Sequence, residues 1–309
     1  MRLRRLLSVS VAFAAAVTLT AVSPGAQAVF PGRNGRIAFD TDFDRHSQIF
    51  TIKPDGTGIR QLTHLSDDHS ACEPRWSADG RQIVYIVHHV TRGCSETPHG
   101  RIWVMNADGT GQHQITHDPG FNDVGAAWSP DGSKIVFSRC AVPFEPPYDF
   151  NAYCDIAVVN ADGTGMTTLL GGNWIHNAPS YSPDGDHISF SSNRGGYVQA
   201  VWVMNADGSE LKRLTEPAIQ ASGPEWSPDG SRILFDNRFG VWVMAADGSY
   251  PTKLVRGGVA AGYSPDGRKI VLTSEGLGLA VVNADGTDLH PVVADRAVFS
   301  SDWQARVAP

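Results

Sequence analysis

Eleven histidines are spread along the chain, and eight of them fall in loops or at strand ends: His46, His64, His69, His88, His89, His99, His117 and His176. His69 and His176 stand just ahead of two recurrent aromatic-ended segments, and Asp123 and Asn177 occupy comparable positions. Imidazoles and carboxylates that converge can hold a transition metal or act as general bases. That is the chemistry of a metal-dependent hydrolase or a polysaccharide lyase. The plainer alternative is that long polar loops collect histidines. No Gly-x-Ser-x-Gly elbow, His-Glu-x-x-His pair or phosphate-binding loop accompanies them, so no catalytic residue and no cofactor is assigned.

Two other groups of residues invite a chemical reading. Asp40, Asp42 and Asp44 alternate as in a calcium loop. However, Arg45 stands where such a loop needs glycine and Thr51 where it needs a bidentate glutamate, so a solvated hairpin loop is expected. Trp174 lies beside His176, and the stretch between Cys140 and Cys154 carries Phe144, Tyr148, Phe150 and Tyr153 with three prolines. Rigid loop aromatics suit recognition of peptide or sugar, with a local mini-core under the insertion as the competing account. The tentative ligand-binding set is therefore His69, Asp123, Trp174, His176, Asn177 and Tyr148.

A repeat must position these residues. An aromatic followed by Ser-Pro-Asp-Gly or a close relative recurs at Trp76, Trp128, Tyr181, Trp226 and Tyr263. A degenerate copy starts at Phe30, and Trp303 closes the series without the turn. A second phrase, close to Asn-Ala-Asp-Gly-Thr, has its aspartate at Asp55, Asp108, Asp162, Asp207, Asp247 and Asp285. In both phrases the aspartate and glycine are read as turn chemistry. Short β-branched and aromatic runs between the phrases, such as Ile83-Val-Tyr-Ile86 and Val201-Trp-Val-Met204, read as strands. Each unit thus holds four strands, A to D, and six units predict an all-β, six-bladed β-propeller of four-stranded antiparallel blades.

Spacing locates the working face. From the A-strand aromatic to the first apolar residue of strand B is seven positions in all six copies, and from the turn aspartate to the D-strand apolar residue is again seven. The distance from strand B to the next turn aspartate instead runs from 14 (Ile233–Asp247) to 27 (Ile135–Asp162). A–B and C–D turns share one end of a blade and B–C and D–A loops the other, so all length variation falls on one face. The first unit lacks room for strand A, and 297–303 looks like a lone strand A; pairing the two closes the ring and covers its edges. Cys72 and Cys94 then belong to one blade, and Cys140 and Cys154 bracket one B–C insertion, so the pairs 72–94 and 140–154 are expected.

The compartment follows from the first residues. Arg2, Arg4 and Arg5, the apolar run 6–22 and Ala26-Gln-Ala28 have the form of a secretory signal peptide over 1–28, leaving 29–309 as the propeller. A secreted or extracytoplasmic location, in periplasm or cell envelope, is expected. The formal net charge is −7 and residues 1–28 carry three arginines and no acid, so the remainder stands at −10. Such a surface repels nucleic acid and anionic lipid. No later segment is apolar enough to span a membrane, and a monomer is expected.

The phrases Trp/Tyr-Ser-Pro-Asp-Gly-x-x-Ile-x-Phe and Ile-Trp-Val-Met-Asn-Ala-Asp-Gly, followed by Leu-Thr, resemble the TolB-like β-propeller repeat over residues 30–303. The resemblance implies a six-bladed ring that often receives peptide or protein partners around its central channel. Similar rings also accompany prolyl-oligopeptidase-type hydrolases and occur in some lyases. The chain has no room for the additional N-terminal domain of TolB itself, so a part in the Tol machinery is not carried over. The function expected is a secreted interaction module for a peptide, envelope protein or glycan.

Overall fold

The computed structural model describes residues 32–43, 46–89, 99–141, 153–196, 198–274, 276–294 and 296–306. Blade 1 contains β1 (Arg33–Phe43), β2 (His46–Ile52) and β3 (Arg60–Gln61), and blade 2 contains β4 (His69–Trp76), β5 (Gln82–His89), β6 (Arg101–Asn106) and β7 (His113–Gln114). Blade 3 is β8 (Phe121–Trp128), β9 (Lys134–Ala141), β10 (Cys154–Asn160) and β11 (Thr167–Leu170). Blade 4 is β12 (His176–Tyr181), β13 (His187–Ser192), β14 (Ala200–Asn205) and β15 (Lys212–Arg213). Blade 5 is β16 (Ser222–Trp226), β17 (Arg232–Asn237), β18 (Gly240–Ala245) and β19 (Thr252–Arg256). Blade 6 is β20 (Val259–Tyr263), β21 (Lys269–Ser274), β22 (Gly278–Asn283) and β23 (His290–Val293). The last strand, β24 (Val298–Arg306), joins blade 1 in the order β24-β1-β2-β3. The six four-stranded antiparallel sheets and the ring closure are those the repeat spacing predicts. Among the described residues the only helical element is a single 3₁₀ turn, Pro217–Ile219, and no helix is long and apolar enough to cross a membrane.

Both faces of each blade are covered by neighbouring blades, so strands B and C carry unbroken apolar runs rather than an alternating pattern. Six clusters result, one per blade interface. Val84, Ile86, Trp128, Ile135 and Phe137 fill the gap between blades 2 and 3. Ile37, Phe39, Val271, Leu279 and Trp303 fill the one between blades 6 and 1. The lattice tryptophans ending strand A, namely Trp76, Trp128, Trp226 and Trp303, are buried. Trp103, Trp202 and Trp242 in strand C are only half-buried. The two-residue strands β7 and β15 cover little of the first two.

The aspartates of the repeat are held by their own turns. Asp131 Oδ1 accepts the Ser129 hydroxyl at 2.6 Å and the Ser133 N–H at 3.0 Å. Asp108 Oδ1 accepts both the hydroxyl and the N–H of Thr110, at 2.6 and 3.0 Å. The bond from the Thr110 hydroxyl, then that from its N–H, holds the Asp108 carboxyl below its ordinary value. These carboxylates stabilise turns.

Candidate functional site in the central channel

The innermost strand of each blade is strand A, and each runs from the loop-bearing face toward the tight-turn face. Four of these strands carry a β-bulge in which the residue three before the aromatic has a left-handed backbone: Glu73, Gly125, Ala178 and Gly223, with φ of 55°, 62°, 50° and 58°. The strand register shifts at the same places. A bulge adds one residue and turns the strand locally, which here aims groups at the axis. Glycine meets that backbone requirement in two copies. Glu73 adopts it without glycine, and its Oε2 accepts the Gly125 N–H at 2.8 Å, tying blade 2 to blade 3.

All six innermost strands line a central cavity of about 360 Å³. Its main feature is an ion pair between Arg75 Nη2 and Glu225 Oε1 at 3.0 Å. These residues belong to blades 2 and 5, which stand opposite one another in a ring of six, so the pair spans the channel. The Ser180 hydroxyl, from blade 4, donates to Glu225 Oε2 at 2.9 Å. Asp302, from blade 1, accepts the Trp76 N–H at 2.7 Å. Burial alone would lower the Arg75 pKa, but Glu225, Asp302, Glu73 and Asp40 outweigh it and raise it above its ordinary value.

In the surrounding carboxyls burial prevails instead. Burial pushes Asp302 up to about 7, against the pull of Arg75 and the Trp76 N–H. Asp40 is likewise pushed up to about 7 by burial, although the hydroxyl and N–H of Ser300 both bond to it, at 2.7 and 2.6 Å. Asp236, which accepts the Ser222 hydroxyl at 3.0 Å, is raised by burial to about 6. One guanidinium thus sits among several carboxyls in a pocket that also presents Asn177 and the apolar Val259 and Phe299. The arrangement can hold a polar chain segment, offering acceptors from Glu73 and Glu225 and donors from Arg75 and Asn177.

Of the residues singled out from the sequence, only Asn177 lines this cavity. His176 precedes it on β12 and therefore faces the other way. It is fully buried, stacks edge-on against Phe190 at 5.7 Å and places Nδ1 2.9 Å from the Ser192 hydroxyl. Burial lowers its pKa to about 4, with Arg194 adding to the effect. Asp123 is also fully buried, 3.8 Å from Arg139, whose other arm reaches Asp118 at 3.1 Å. Burial raises the Asp123 carboxyl and Arg139, from the neighbouring strand of blade 3, opposes that rise. His69 begins β4 at the loop-bearing rim, two blades away from His176. Among the described residues no histidine lines the cavity, because strand alternation turns His176 into the blade.

Trp174 is half-buried, and its carbonyl accepts the Cys154 N–H at 3.0 Å at the root of the disulfide-bracketed insertion. Cys140 and Cys154 are bonded as expected, at facing positions of β9 and β10. Cys72 is disulfide-bonded, while Cys94, its expected partner, and Tyr148 lie outside the described residues. The Asp40–Asp44 expectation needs correcting in part. Asp42 is exposed, but Asp40 is fully buried within β1 and bonded to Ser300, so it belongs to the sheet of blade 1 and not to a solvated loop. Asp44 lies outside the described residues.

Arg75, Glu225 and Asp302 were missed in the sequence, although a signal was present. Each immediately precedes its lattice aromatic, where the other copies have Ala127, Ser180 and Gly262. Aligning the copies on the aromatic exposes a charged residue at a position the fold directs to the axis.

Comparison with known proteins agrees with this architecture. The TolB beta propeller domain family matches residues 150–304. An uncharacterized protein of Agrobacterium fabrum is 34% identical over 151 residues, covering 48% of this chain and 47% of that protein. Dipeptidyl-peptidase 5 of Porphyromonas endodontalis is 33% identical over 92 residues, 30% of this chain and 12% of the peptidase. The matches therefore span less than half of those relatives' own lengths. Among solved structures, TolB from Acinetobacter baumannii superposes with a TM-score of 0.69 at 21% identity, over 87% of this chain and 66% of that one.

Proposed function

Because this chain belongs to the TolB beta propeller domain family, we propose that it is an exported interaction module that receives a peptide segment of a protein partner in its central channel. The segment enters from the loop-bearing face and stops at the Arg75–Glu225 ion pair. The observation that carries this reading is the cavity itself, to which all six innermost strands contribute and across which that pair reaches. A peptide supplies both donors and acceptors for such a mixed lining, and its apolar side chains suit Val259 and Phe299. The propeller fold supports an interaction role, and the Cys140–Cys154 disulfide and the signal-like residues 1–28 support an oxidising, extracytoplasmic compartment.

A panel of immobilised peptides and oligosaccharides tests the proposal. Asn177→Trp, which fills the cavity from β12, is expected to weaken retention of the bound class at least tenfold, and Arg75→Ala is expected to change which peptides bind. A glycan retained in place of peptides would shift the ligand class to sugar. Failure of the wild type to retain any member, or equal retention by Asn177→Trp, would overturn the channel as the site. A metal-dependent hydrolase or lyase acting through channel histidines is the weaker reading, since His176 is enclosed in its blade.

A further inference from the structure

We infer that Asp68, His69 and His89 form a divalent transition-metal site on the loop-bearing rim of blade 2, separate from the channel. One donor atom from each of the three lies within 4.8 Å of the others. The site follows from strand pairing. His69 opens β4 and faces His89 at the end of β5 in register, so both imidazoles project from one side of the sheet at cross-strand distance. Their ring centroids are 4.9 Å apart at an angle of 71°, an edge-on contact. Asp68 brings its carboxylate to both rings, with Oδ1 2.8 Å from His69 Nδ1 and Oδ2 3.8 Å from His89 Nε2.

The turn that carries the acid is already held. The His69 N–H donates to the Ser66 carbonyl at 2.9 Å, and the Ser66 hydroxyl donates to Asp68 Oδ1 at 2.6 Å. A bond of this kind orients a ligating carboxylate in established metal sites. Zinc takes nitrogen and carboxylate oxygen at about 2.0–2.2 Å, which places tetrahedral ligands about 3.3 Å apart. Small rotations of the side chains bring the three atoms to that spacing. All three side chains have the freedom to move, since Asp68, His69 and His89 are 57%, 37% and 68% exposed. Two imidazoles favour zinc, cobalt, nickel or copper over calcium or magnesium. Three protein ligands leave a fourth position for water or for a donor from a bound partner.

The test uses the full mature chain, stripped with chelator and titrated with zinc by calorimetry and with cobalt by visible absorption. The expected result is one ion per chain, with tetrahedral cobalt bands. His69→Ala and His89→Ala should each weaken binding about a hundredfold or more. His187→Ala and His290→Ala, at strands that start from the opposite, tight-turn face, should bind as the wild type does. His89→Gln with an unchanged melting curve controls for loss of fold. Absence of stoichiometric zinc, or wild-type affinity in the His69→Ala/His89→Ala double variant, overturns the site. Because Asn177→Trp leaves these ligands untouched, failure here and failure of the channel reading are read separately.

Discussion

Arg75 and Glu225, from the innermost strands of opposite blades, meet at 3.0 Å, so one ion pair joins the two halves of the ring through its axis. The side chains are 26% and 18% exposed, which places the pair between a surface salt bridge of small worth and a buried one whose rupture is costly. Arg75→Ala and Glu225→Ala should each lower unfolding free energy by about 1–3 kcal/mol. The double variant should lose less than the two singles together. Urea denaturation of all four proteins measures the coupling, and strict additivity would show that the pair does not act as a unit.

Asp302 links the channel to pH. A carboxyl is about 4 when unfolded, and burial raises this one to about 7 in the folded chain. Between those values the folded state binds the extra proton, so this group makes stability fall as pH rises from about 4 to about 7, with no further change above. Asp302→Asn should therefore be relatively more favourable at pH 8 than at pH 5, and the fall across that range should become shallower. Asp40 and Asp236 leave a residual slope of the same sign. Melting temperatures across this pH series decide the matter; a steeper fall in the variant would contradict the assignment.

The Cys140–Cys154 bond closes a loop with a sequence separation of 14. In the chain-entropy account such a closure stabilises by about 3 kcal/mol. Cys140→Ser/Cys154→Ser should lose most of that in guanidinium denaturation while keeping the β-sheet circular dichroism of the ring. No change in the midpoint would mean the insertion is ordered by other contacts.

Tryptophans from the two lattice positions should differ in cost. Trp303 is fully buried between blades 6 and 1, and Trp303→Ala should cost about 3–5 kcal/mol. Trp103 is half-buried beside the two-residue strand β7, so Trp103→Ala should cost visibly less in the same assay. Equal costs would contradict the assignment of the closing interface as the better-packed position.

The architecture was legible because turn chemistry and spacing repeat. Two invariant seven-residue steps identify the tight turns, and the half-units at either end predict the pairing of β1 with β24. The site was less legible, for a reason specific to strands. His176 and Asn177 are neighbours in sequence but project to opposite sides, and only coordinates reveal which one the bulge sends to the axis. Asp40 was misread because an Asp-x-Asp-x-Asp run looks like a loop, whereas its first member lies within a buried stretch of β1. Glu225 and Arg75 meet across 150 positions, a proximity that no local pattern encodes.

Ring closure has a temporal consequence. Ile37 and Phe39 leave the ribosome long before Trp303, which covers them. Pairing of β1 with β24 joins Asn34 to Ala305, so blade 1 lacks its inner strand until β24 has been made. Contacts of such range slow folding. The nascent chain accordingly remains an open arc with an apolar flank until β24 pairs with β1, and only then does the circle lock.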